Sequence, residues 1–513
     1  MNFSAVRDKI RGHYLGFINS YPRIAKILGF TRRRGPLIAL FVVIMHSLGF
    51  YYSIQAIMQT RSPRGAVAWA VSLNAFPYAA VPAYWIFGGN DFDEYVQTLV
   101  KRVETTRPIA ESLIERVREI EGELGNETEN DDLFSTLESL TGLPANSGNR
   151  VELFTDGESA LNAIFESVSK AEKYVLIEFY IIRDDETGGR LKDALVAKAR
   201  EGVPVYVLYD DYGCLDLDNA FIKQMTDAGV NVSSFMNLDG QIDRLKLNYR
   251  NHRKIVVVDG EEAFVGGVNV GDEYTGKHPK YTPWRDSHMR LRGPIVTSIQ
   301  VPFIEDWQWA KDESIAVLDW EVESRYEASE GDSKMICVPT GPGDDLKTCS
   351  LFYQALINSA KERIWISTPY FVPDESIISA LQLADARGVE VKLLIPSMLD
   401  SMLVSLSSQS YLEDFNGTGV EVHQYKGGFL HQKAVLVDDD FSSLGSANLD
   451  NRSLALNFEV MIGIDGADFA KRVEAMLIED FAQSEQMFFK DLQEKSFYHR
   501  LKVRVSRLLA PIQ

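Results

Sequence analysis

The sequence predicts an α/β protein made of two duplicated halves that pack as a pseudo-two-fold pair, preceded by a two-helix transmembrane hairpin. Three observations lead to this prediction. A histidine and lysine motif followed by an apolar run occurs twice, at 252–269 and 431–448. The segments upstream of the two copies repeat as well, in the same order. Two long runs near the N-terminus contain no Lys, Arg, Asp or Glu.

The N-terminal region predicts the membrane attachment. Residues 1–35 are a basic segment, and the uncharged runs at about 36–58 and 65–89 are each long enough, at ~20 residues, to cross a bilayer. Lys and Arg number eight before the first run, two in the loop between the runs, and three in residues 91–110. Because cytoplasmic flanks carry the excess of Lys and Arg, both ends of the hairpin are predicted to be cytoplasmic. We therefore expect a multi-pass protein of the cell (inner) membrane whose two halves lie on the cytoplasmic side.

Two further segments flank the halves. Residues 90–147 are acidic, above all between Glu111 and Glu138, which predicts a solvated connector. In the tail, residues 491–513, apolar and basic residues recur at helical spacing. This pattern predicts a basic amphipathic helix that either lies on an anionic membrane surface or packs against the halves. Its apolar positions are Phe497, Leu501, Val505 and Leu508, and its basic positions are Arg500, Lys502, Arg504 and Arg507.

The halves themselves are predicted to span residues 148–330 and 331–490. In each half a helix-period segment, an apolar strand, a second helix, a second strand and the motif strand follow in that order. The stretch 171–185, for example, parallels 360–375. This order is typical of βαβ units, in which helices cover a largely parallel sheet.

The motif places ionisable side chains at the start of a buried strand. With the two-residue period of a strand, its histidine and lysine point to one face. One such motif would more often be a surface strand, but the shared spacing of two copies makes chance a poor explanation. We include the aspartate of each copy among the candidate catalytic residues. We nevertheless favour a structural role for it, in which it braces the turn and the lysine. The first copy contains His252, Lys254, Asp259 and Asn269, and the second contains His431, Lys433, Asp438 and Asn448.

This duplicated HxKxxxxDxxxxxxGxxN pattern resembles the phospholipase D superfamily. The surrounding phrases RNHRKIVVVDG, WRDSHMRLRGP, TPYFVPD and GSANLDNRSLALNFE are similar to those of bacterial cardiolipin synthases, from about Gly148 to the C-terminus. The resemblance implies phospholipase D-like halves and transfer of a phosphatidyl group between two phosphatidylglycerol molecules through a phosphohistidine, with release of glycerol. Phosphatidylglycerol and anionic membrane lipid are the implied partners. A hydrolytic phospholipase D or another phosphatidyltransferase is the alternative.

The residue types suit phosphodiester chemistry. Attack on phosphorus needs positive charge around the phosphoryl oxygens and a proton for the leaving alcohol. One imidazole can attack and the other can act as acid and base, while the lysines and asparagines hold the oxygens. Each histidine needs a carboxylate to fix its tautomer, and Asp286 and Glu459 follow the two motifs. The resemblance implies that each carboxylate serves the other half's histidine and that His252 is the nucleophile.

Composition argues against other classes. A net charge of −20 disfavours a nucleic-acid binder, such as a nuclease, because phosphate affinity comes from clustered Lys and Arg. The eight histidines include no HExxH motif and no Cys/His cluster, and lysines in the site would repel a cation, so no metal or other cofactor is predicted. A non-enzymatic scaffold would tolerate loss of one motif, whereas both are intact. The three cysteines, Cys214, Cys337 and Cys349, form no zinc or disulfide pattern and predict reduced thiols.

Overall fold

The structure, a computed structural model, divides into two compact units at Asp91. The residues that it describes are 22–59, 63–88, 108–122, 128–236, 249–311, 315, 318, 333–398 and 401–508. Most of the predicted basic segment, residues 1–21, and the predicted boundary between the halves at 330/331 lie outside the described residues.

The described residues of the first unit form three helices, α1 (Pro22–Gln59), α2 (Pro63–Ala75) and α3 (Pro77–Phe87). Helix α1 begins within the basic segment and continues through the first apolar run. In the described part of the chain, one helical stretch, Gly35–Met58, is long and apolar enough to cross a membrane.

The second apolar run differs from the prediction, because it is not one helix over 65–89. Helix α2 ends at Ala75 and α3 begins at Pro77, so Phe76 lies between them with φ −143° and ψ 63°. The cause is Pro77, which has no N–H to continue the helical hydrogen bonds and whose ring disfavours a helical conformation at the preceding residue. The run therefore forms two short helices in sequence.

The three helices bury one set of apolar side chains and expose another. The buried set is Ala56, Leu73, Ala80, Val81 and Tyr84. The exposed set consists of large apolar side chains that are more than half accessible: Leu37, Leu40, Phe41, Val43, Phe50, Tyr51, Ile57, Met58, Val67, Val71 and Phe76. Water-soluble proteins rarely expose an apolar surface of this extent, so it indicates contact with lipid or with another protein.

The second unit begins with the acidic connector, which is not solvated throughout as its charge predicts. It contains helix α4 (108–122) and helix α5 (Asp131–Thr141). Each buries an apolar face, through Leu113 and Val117 in α4 and through Phe134 and Leu137 in α5. Apolar residues recur every three or four positions there, so the acidic side chains fall on the opposite faces and the helices still pack.

The remainder of this unit is a mixed α/β fold of twenty described strands, of which sixteen form one sheet and four form two separate two-stranded sheets. Its first part contains β1 (Asn146–Phe154), β2 (Val175–Phe179), β3 (Val205–Tyr209), β4 (Asn231–Ser234), β5 (Arg250–Asn251), β6 (Lys254–Val258), β7 (Glu262–Gly266), β8 (Trp284–Arg285) and β9 (His288–Arg292). Its second part contains β10 (Ser333–Thr340), β11 (Arg363–Ser367), β12 (Phe371–Val372), β13 (Glu390–Pro396), β14 (Glu421–Tyr425), β15 (Phe429–Leu430), β16 (Ala434–Val437), β17 (Phe441–Gly445), β18 (Leu449–Asp450), β19 (Asn457–Asp465) and β20 (Ser484–Met487).

Helices cover the sheet. Those of the first part are α6 (Gly157–Ser169), α7 (Glu186–Arg200), α8 (Asn219–Asp227) and α9 (Ile295–Lys311). Those of the second part are α10 (Thr348–Ser359), α11 (Glu375–Ala386), α12 (Met402–Ser410), α13 (Asn451–Ala455), α14 (Ala467–Ala482), α15 (Phe489–Gln493) and α16 (Phe497–Arg507), with a 3₁₀ turn at Tyr411–Glu413.

Seven strands follow the same order in the two parts of the sheet, and β20 lies outside them at the edge of the second part, antiparallel to β14. In the first part β4, β3 and β2 are parallel, and β6, β7, β9 and β1 follow with antiparallel pairing. In the second part β14, β13 and β11 are parallel, and β16, β17, β19 and β10 follow in the same way. Strands β1 and β10 pair antiparallel in the middle, which joins the two parts into one sheet.

The motif strands lie inside this sheet. All residues of β6 and β16 are buried, because their continuous Val, Ile, Leu and Ala runs have helices on both faces. Strand β6 runs antiparallel to β2 with Lys254 opposite Phe179, and Ala434 of β16 lies opposite Ser367 of β11. Each motif therefore begins at the carboxyl ends of the parallel strands, the edge where α/β sheets usually bind ligands.

Candidate active site

Two short backbone pairings carry each motif histidine to the other part of the sheet. Strand β5, which precedes His252, pairs in parallel with β19, and the His252 amide donates to the carbonyl of Phe458 at 2.9 Å. Strand β15, which precedes His431, pairs in parallel with β8, and the His431 amide donates to the carbonyl of Arg285 at 2.7 Å. The residues after Phe458 and Arg285 are the two candidate carboxylates, so each is brought beside the histidine of the other part.

The carboxylates contact the histidines crosswise. Nδ1 of His252 lies 2.9 Å from a carboxylate oxygen of Glu459, and Nδ1 of His431 lies 2.8 Å from one of Asp286. A carboxylate accepts a hydrogen bond from Nδ1 when that nitrogen carries the proton. Nε2 is then unprotonated and is the reactive nitrogen. Both imidazoles are thus oriented in the same way, each by a buried carboxylate.

Further hydrogen bonds hold the carboxylates in place. Glu459 accepts from the hydroxyls of Ser446 and Ser453 at 2.6 and 2.7 Å and from the amide of Asn457 at 3.2 Å. Asp286 accepts from the backbone N–H of Ser287 at 2.8 Å. Such supporting bonds fix the orientation of the imidazole as well as of the acid.

Gly267 makes room for Asp286. A Cβ atom at this position would lie 2.1 Å from a carboxylate oxygen of Asp286, closer than real contacts allow. The corresponding position in the second motif is Ser446, whose hydroxyl instead donates to Glu459. The two copies therefore place their acids by different means.

Both motif lysines are buried beside the histidines. Nζ of Lys254 donates to the carbonyl of His252 at 2.6 Å. Nζ of Lys433 donates to the carbonyl of His431 at 2.6 Å and lies 3.0 and 3.1 Å from its two ring nitrogens. Two lysine side chains are thus concentrated in a largely dry site, where the field of a protonated amine on an anion is strong.

Burial and charge set the protonation states of the free site. Burial lowers the pKa values of His252 and His431 to about 4, and both lysines lower them further, although the carboxylates oppose this. Burial alone would raise the pKa of Glu459, but His252 and Lys254 outweigh it and lower the value to about 2. Burial lowers the pKa of Lys254 to about 7. The free site at neutral pH therefore holds two neutral imidazoles between ionised carboxylates.

The motif asparagines lie beside this group. The side-chain oxygen of Asn269 accepts from the backbone N–H of Ile181 at 3.2 Å, and its amide donates to the hydroxyl of Tyr274 at 3.1 Å. The backbone N–H of Asn448 donates to the hydroxyl of Ser453, which in turn contacts Glu459. Both asparagines are buried at the ends of the strands that follow the motif strands.

The motif aspartates, which we counted with the catalytic set while favouring a structural role, lie elsewhere. Asp259 and Asp438 follow the far ends of β6 and β16, a full strand away from the histidines. The carboxylate of Asp259 accepts from the backbone N–H groups of 172–174, and that of Asp438 from those of 361–363. Both residues have positive φ, 57° and 50°. They brace turns, as we favoured. They do not brace the lysines, because each aspartate follows its histidine by seven residues along an extended strand and so lies far from the site.

Sequence reasoning missed the aromatic walls of the site. The ring of Tyr180 lies 4.9 Å from that of His252, edge to face. The ring of Trp284 lies 5.2 Å from that of His431, and Phe429 stacks against the same imidazole at 6.3 Å. These rings shield the imidazoles from water. Their positions inside FYIIRD, WRDS and GGFLHQK were visible, but a lone aromatic residue carries no signal of its own.

A second set of buried acids was also missed. Asp306 accepts from Arg253, between the motif residues His252 and Lys254. Asp480 accepts from Gln432 at 2.8 Å and binds Arg285 with both oxygens, at 2.7 and 3.0 Å. A repeated signal existed, because helices α9 and α14 both contain Ile-Glu-Asp followed by an aromatic residue. These acids support the residues next to the site and do not touch the histidines' reactive nitrogens.

The arrangement is suited to an anion that has a leaving group. Two imidazoles can exchange protons and electron pairs with it, and the two ammonium groups attract its negative charge. Within the described ranges, no group of three or more His, Cys, Asp or Glu side chains is arranged to hold a metal ion. The imidazole and lysine side chains can support general acid–base and nucleophilic catalysis.

Comparison with known proteins gives consistent results. The family model described as "Cardiolipin synthase, PLD-like domain" matches residues 164–278 and 353–481. Cardiolipin synthase A of Pseudomonas fluorescens (strain SBW25) is 41% identical over 484 residues, covering 93% of this chain and 99% of the relative. Cardiolipin synthase A of Pseudomonas aeruginosa (strain LESB58) is 42% identical, covering 93% and 96%. The crystal structure of phosphatidylserine synthase from Haemophilus influenzae shares the fold, with a TM-score of 0.58, 16% identity, and coverage of 74% of this chain and 100% of that one.

Proposed function

The chain belongs to the cardiolipin synthases of the phospholipase D type, and from this membership we propose that it joins two molecules of phosphatidylglycerol. One molecule gives up its phosphatidyl group, glycerol leaves, and the second molecule receives the group on its free glycerol hydroxyl. The observation that carries this proposal is the pair of crosswise contacts, His252 with Glu459 and His431 with Asp286, around two buried lysines.

In the first step the proposed nucleophile is Nε2 of His252. Its lone pair forms a bond to phosphorus while the bond from phosphorus to the glycerol oxygen breaks. His431, protonated on both nitrogens, donates its Nε2 proton to that oxygen, and glycerol departs. The phosphodiester brings negative charge close to His431, which raises the low pKa that this imidazole has in the free site.

In the second step the same groups act in reverse. His431, now neutral, accepts the proton of the second molecule's hydroxyl, whose oxygen bonds to phosphorus as the bond from phosphorus to nitrogen breaks. Lys254 and Lys433 hold the non-bridging oxygens throughout, together with Asn269 and Asn448. One phosphodiester is exchanged for another, so the reaction needs no nucleotide.

We further propose that the two parts of the sheet are duplicated phospholipase D-like halves related by a pseudo-two-fold. Support comes from the equal order of seven strands in the two parts and from the reciprocal histidine and carboxylate contacts. The proposed halves cover 148–330 and 331–490. The shared site would then explain why each half supplies a histidine to the other half's acid.

The proposed location is the cell (inner) membrane, with residues 36–89 as a hairpin and the halves on the cytoplasmic side. Helix α1 supplies the apolar length, and the exposed apolar faces of α1 and α2 require a lipid or protein partner. The break at Pro77 is tolerated in membrane helices when neighbouring groups satisfy the freed backbone. The Lys and Arg distribution supports the orientation.

The test is incubation of the purified chain with labelled phosphatidylglycerol bilayers as the only lipid. We expect equal amounts of cardiolipin and free glycerol, and reversal when glycerol is added. Water at ~55 M competes for the intermediate, so transfer requires a site that is held at the lipid surface and closed to water. Phosphatidic acid as the main product would indicate a hydrolytic phospholipase D, and dependence on a CDP-activated lipid would rule out the proposal.

A chelation experiment tests the role of the lysines. Full activity is expected after exhaustive treatment with EDTA, because ammonium and amide groups stabilise the phosphoryl charge in this site. The measurement is the cardiolipin formation rate before and after dialysis against the chelator. Loss of activity that a divalent ion restores would contradict the proposed mechanism.

A further inference from the structure

Helix α16, in the basic tail, is fixed to the protein by one face only. Val503 and Ser506 are buried against the second part of the sheet domain. The guanidinium of Arg507 pairs with Asp414 at 2.7 Å and lies over the ring of Tyr411, and the His499 ring lies 3.0 Å from the side-chain oxygen of Gln409. The predicted packing against the halves is therefore correct for this face.

The opposite face of α16 exposes large apolar side chains. Five residues, counted with the adjoining Leu508, lie on one stripe about 100° wide at helical spacing. Such a stripe is costly in water, since each apolar Å² left exposed forgoes about 25 cal/mol. Their exposed fractions are 68% for Phe497, 75% for Tyr498, 45% for Leu501, 48% for Val505 and 77% for Leu508.

The charge around this stripe has one sign. From Lys495 to the C-terminus the chain has five Lys or Arg and no Asp or Glu, within a protein of net charge −20. Glu413 and Asp414 neutralise two of these cations, Arg504 and Arg507. Arg500 and Lys502 flank the stripe on its two sides, and neither forms an ion pair with a residue that the structure describes.

The stripe belongs to the same edge of the sheet as the candidate active site. Helix α12, on which α16 packs, follows the carboxyl end of β13, and that end lies beside the carboxyl end of β11, where the His431 motif begins. Met402, at the start of α12, is 77% exposed and adds to the apolar surface. A groove of about 610 Å³ runs along α16. Its lining combines apolar side chains with three cations, one acid and two neutral polar residues: Arg500, Arg504, Arg507, Glu413, Ser410 and Gln493.

We propose that this outer face of α16 docks on an anionic phospholipid bilayer, with its apolar stripe among the acyl chains and Arg500 and Lys502 at the lipid phosphates. Charge complementarity selects this occupant, because an apolar stripe between unpaired cations is the pattern of interfacial helices. The expected effect of docking on turnover rests on the proposed function. Docking orients the edge with the histidines toward the leaflet that contains both lipid substrates.

A labelling experiment measures docking without turnover. All three native cysteines are buried, so Leu501→Cys in the full chain offers one accessible thiol for an environment-sensitive fluorophore. In phosphatidylglycerol vesicles we expect quenching by doxyl-labelled lipid to be at least ~3-fold stronger at position 501 than at the control Leu383→Cys, which is 54% exposed on α11. The double variant Arg500→Glu with Lys502→Glu should weaken docking by ~5-fold or more for each charge changed. Replacement of phosphatidylglycerol by phosphatidylcholine in the vesicles should also weaken docking, because the anionic lipid is removed. Equal quenching at both positions would overturn the proposal.

An activity experiment separates docking from folding. Leu501→Asp with Leu508→Asp should lower cardiolipin formation in phosphatidylglycerol bilayers ~5-fold or more and leave activity on detergent-dispersed short-chain phosphatidylglycerol within about twofold of wild type. Leu383→Asp is the matched control and should change neither. An equal loss on both substrates would show a structural role for α16 and overturn the proposal. Quenching at position 501 of the labelled Leu501→Cys protein, together with a wild-type protein that makes no cardiolipin, would support docking and overturn the proposed function alone.

Discussion

His252→Ala and His431→Ala variants are each expected to lose at least ~10²-fold in turnover, because each removes one of the two groups that move electron pairs or protons in the proposed reaction. The measurement is the initial rate of cardiolipin formation from phosphatidylglycerol, with thermal unfolding as the check on folding. The loss should be similar for the two variants, since neither step proceeds without both imidazoles.

His423→Ala is the matched control for this experiment. His423 also contacts a carboxylate, that of Glu421 at 2.9 Å, but it lies on β14, away from the motif. We expect its activity to stay within about twofold of wild type, as for other substitutions outside a site. A His252 or His431 variant that kept more than about one hundredth of wild-type turnover would contradict a shared site.

The covalent intermediate distinguishes the two histidines. When wild-type protein is denatured during turnover, a phosphatidyl adduct should be found on His252 by mass spectrometry of its peptides. An adduct on His431 in the wild-type protein would reverse the assignment.

Asp286→Asn and Glu459→Gln are expected to lower turnover by ~10²- to 10⁴-fold while preserving shape, because the amide can hold its imidazole in the wrong tautomer. Each carboxylate also opposes the lowering of its partner's pKa by burial. Removing the charge of Asp286 lowers the pKa of His431 further, and removing that of Glu459 does the same to His252.

The pH profile turns this into a test of roles. If His431 is the general acid, Asp286→Asn moves the alkaline limb of turnover to lower pH, because the acid loses its proton earlier. If His252 is the nucleophile, Glu459→Gln moves the acidic limb to lower pH, because the imidazole stays neutral in more acid solution. If Asp286→Asn instead moved the acidic limb and Glu459→Gln the alkaline limb, the roles of the two histidines would be reversed. Loss of activity without movement of either limb would indicate a merely structural role. Glu421→Gln, beside His423, is the control.

Much of the site could be predicted from the sequence because its members lie close together along the chain. The spacing from His252 to Asn269 and its repeat at His431 are fixed offsets on a strand and turn, and alternation along a strand decides which side chains share a face. The buried strands β6 and β16 follow from continuous apolar runs. The break at Pro77 was readable in the same way and was missed.

The packing of the connector was not predicted from its charge. Acidic helices such as α4 and α5 bury an apolar face that total charge does not reveal. The tail posed the opposite problem, because both alternatives for it were physically sound. Val503 and Ser506 pack one face of helix α16 against the protein, and the opposite face of the helix stays exposed.

The sequence by itself therefore determined the chemistry of this protein: two copies of a histidine and lysine pair, the acids that follow them, and an apolar N-terminus. Only the tertiary structure decided which groups meet. The contacts of His252 with Glu459 and of His431 with Asp286 join residues 207 and 145 positions apart. No local preference encodes such pairs, since they depend on how β5 registers with β19 and β15 with β8. Asp259 and Asp438 lie outside the site because the extended backbone of each motif strand separates them from the histidines. Which residues meet across the sheet depends instead on strand register and packing.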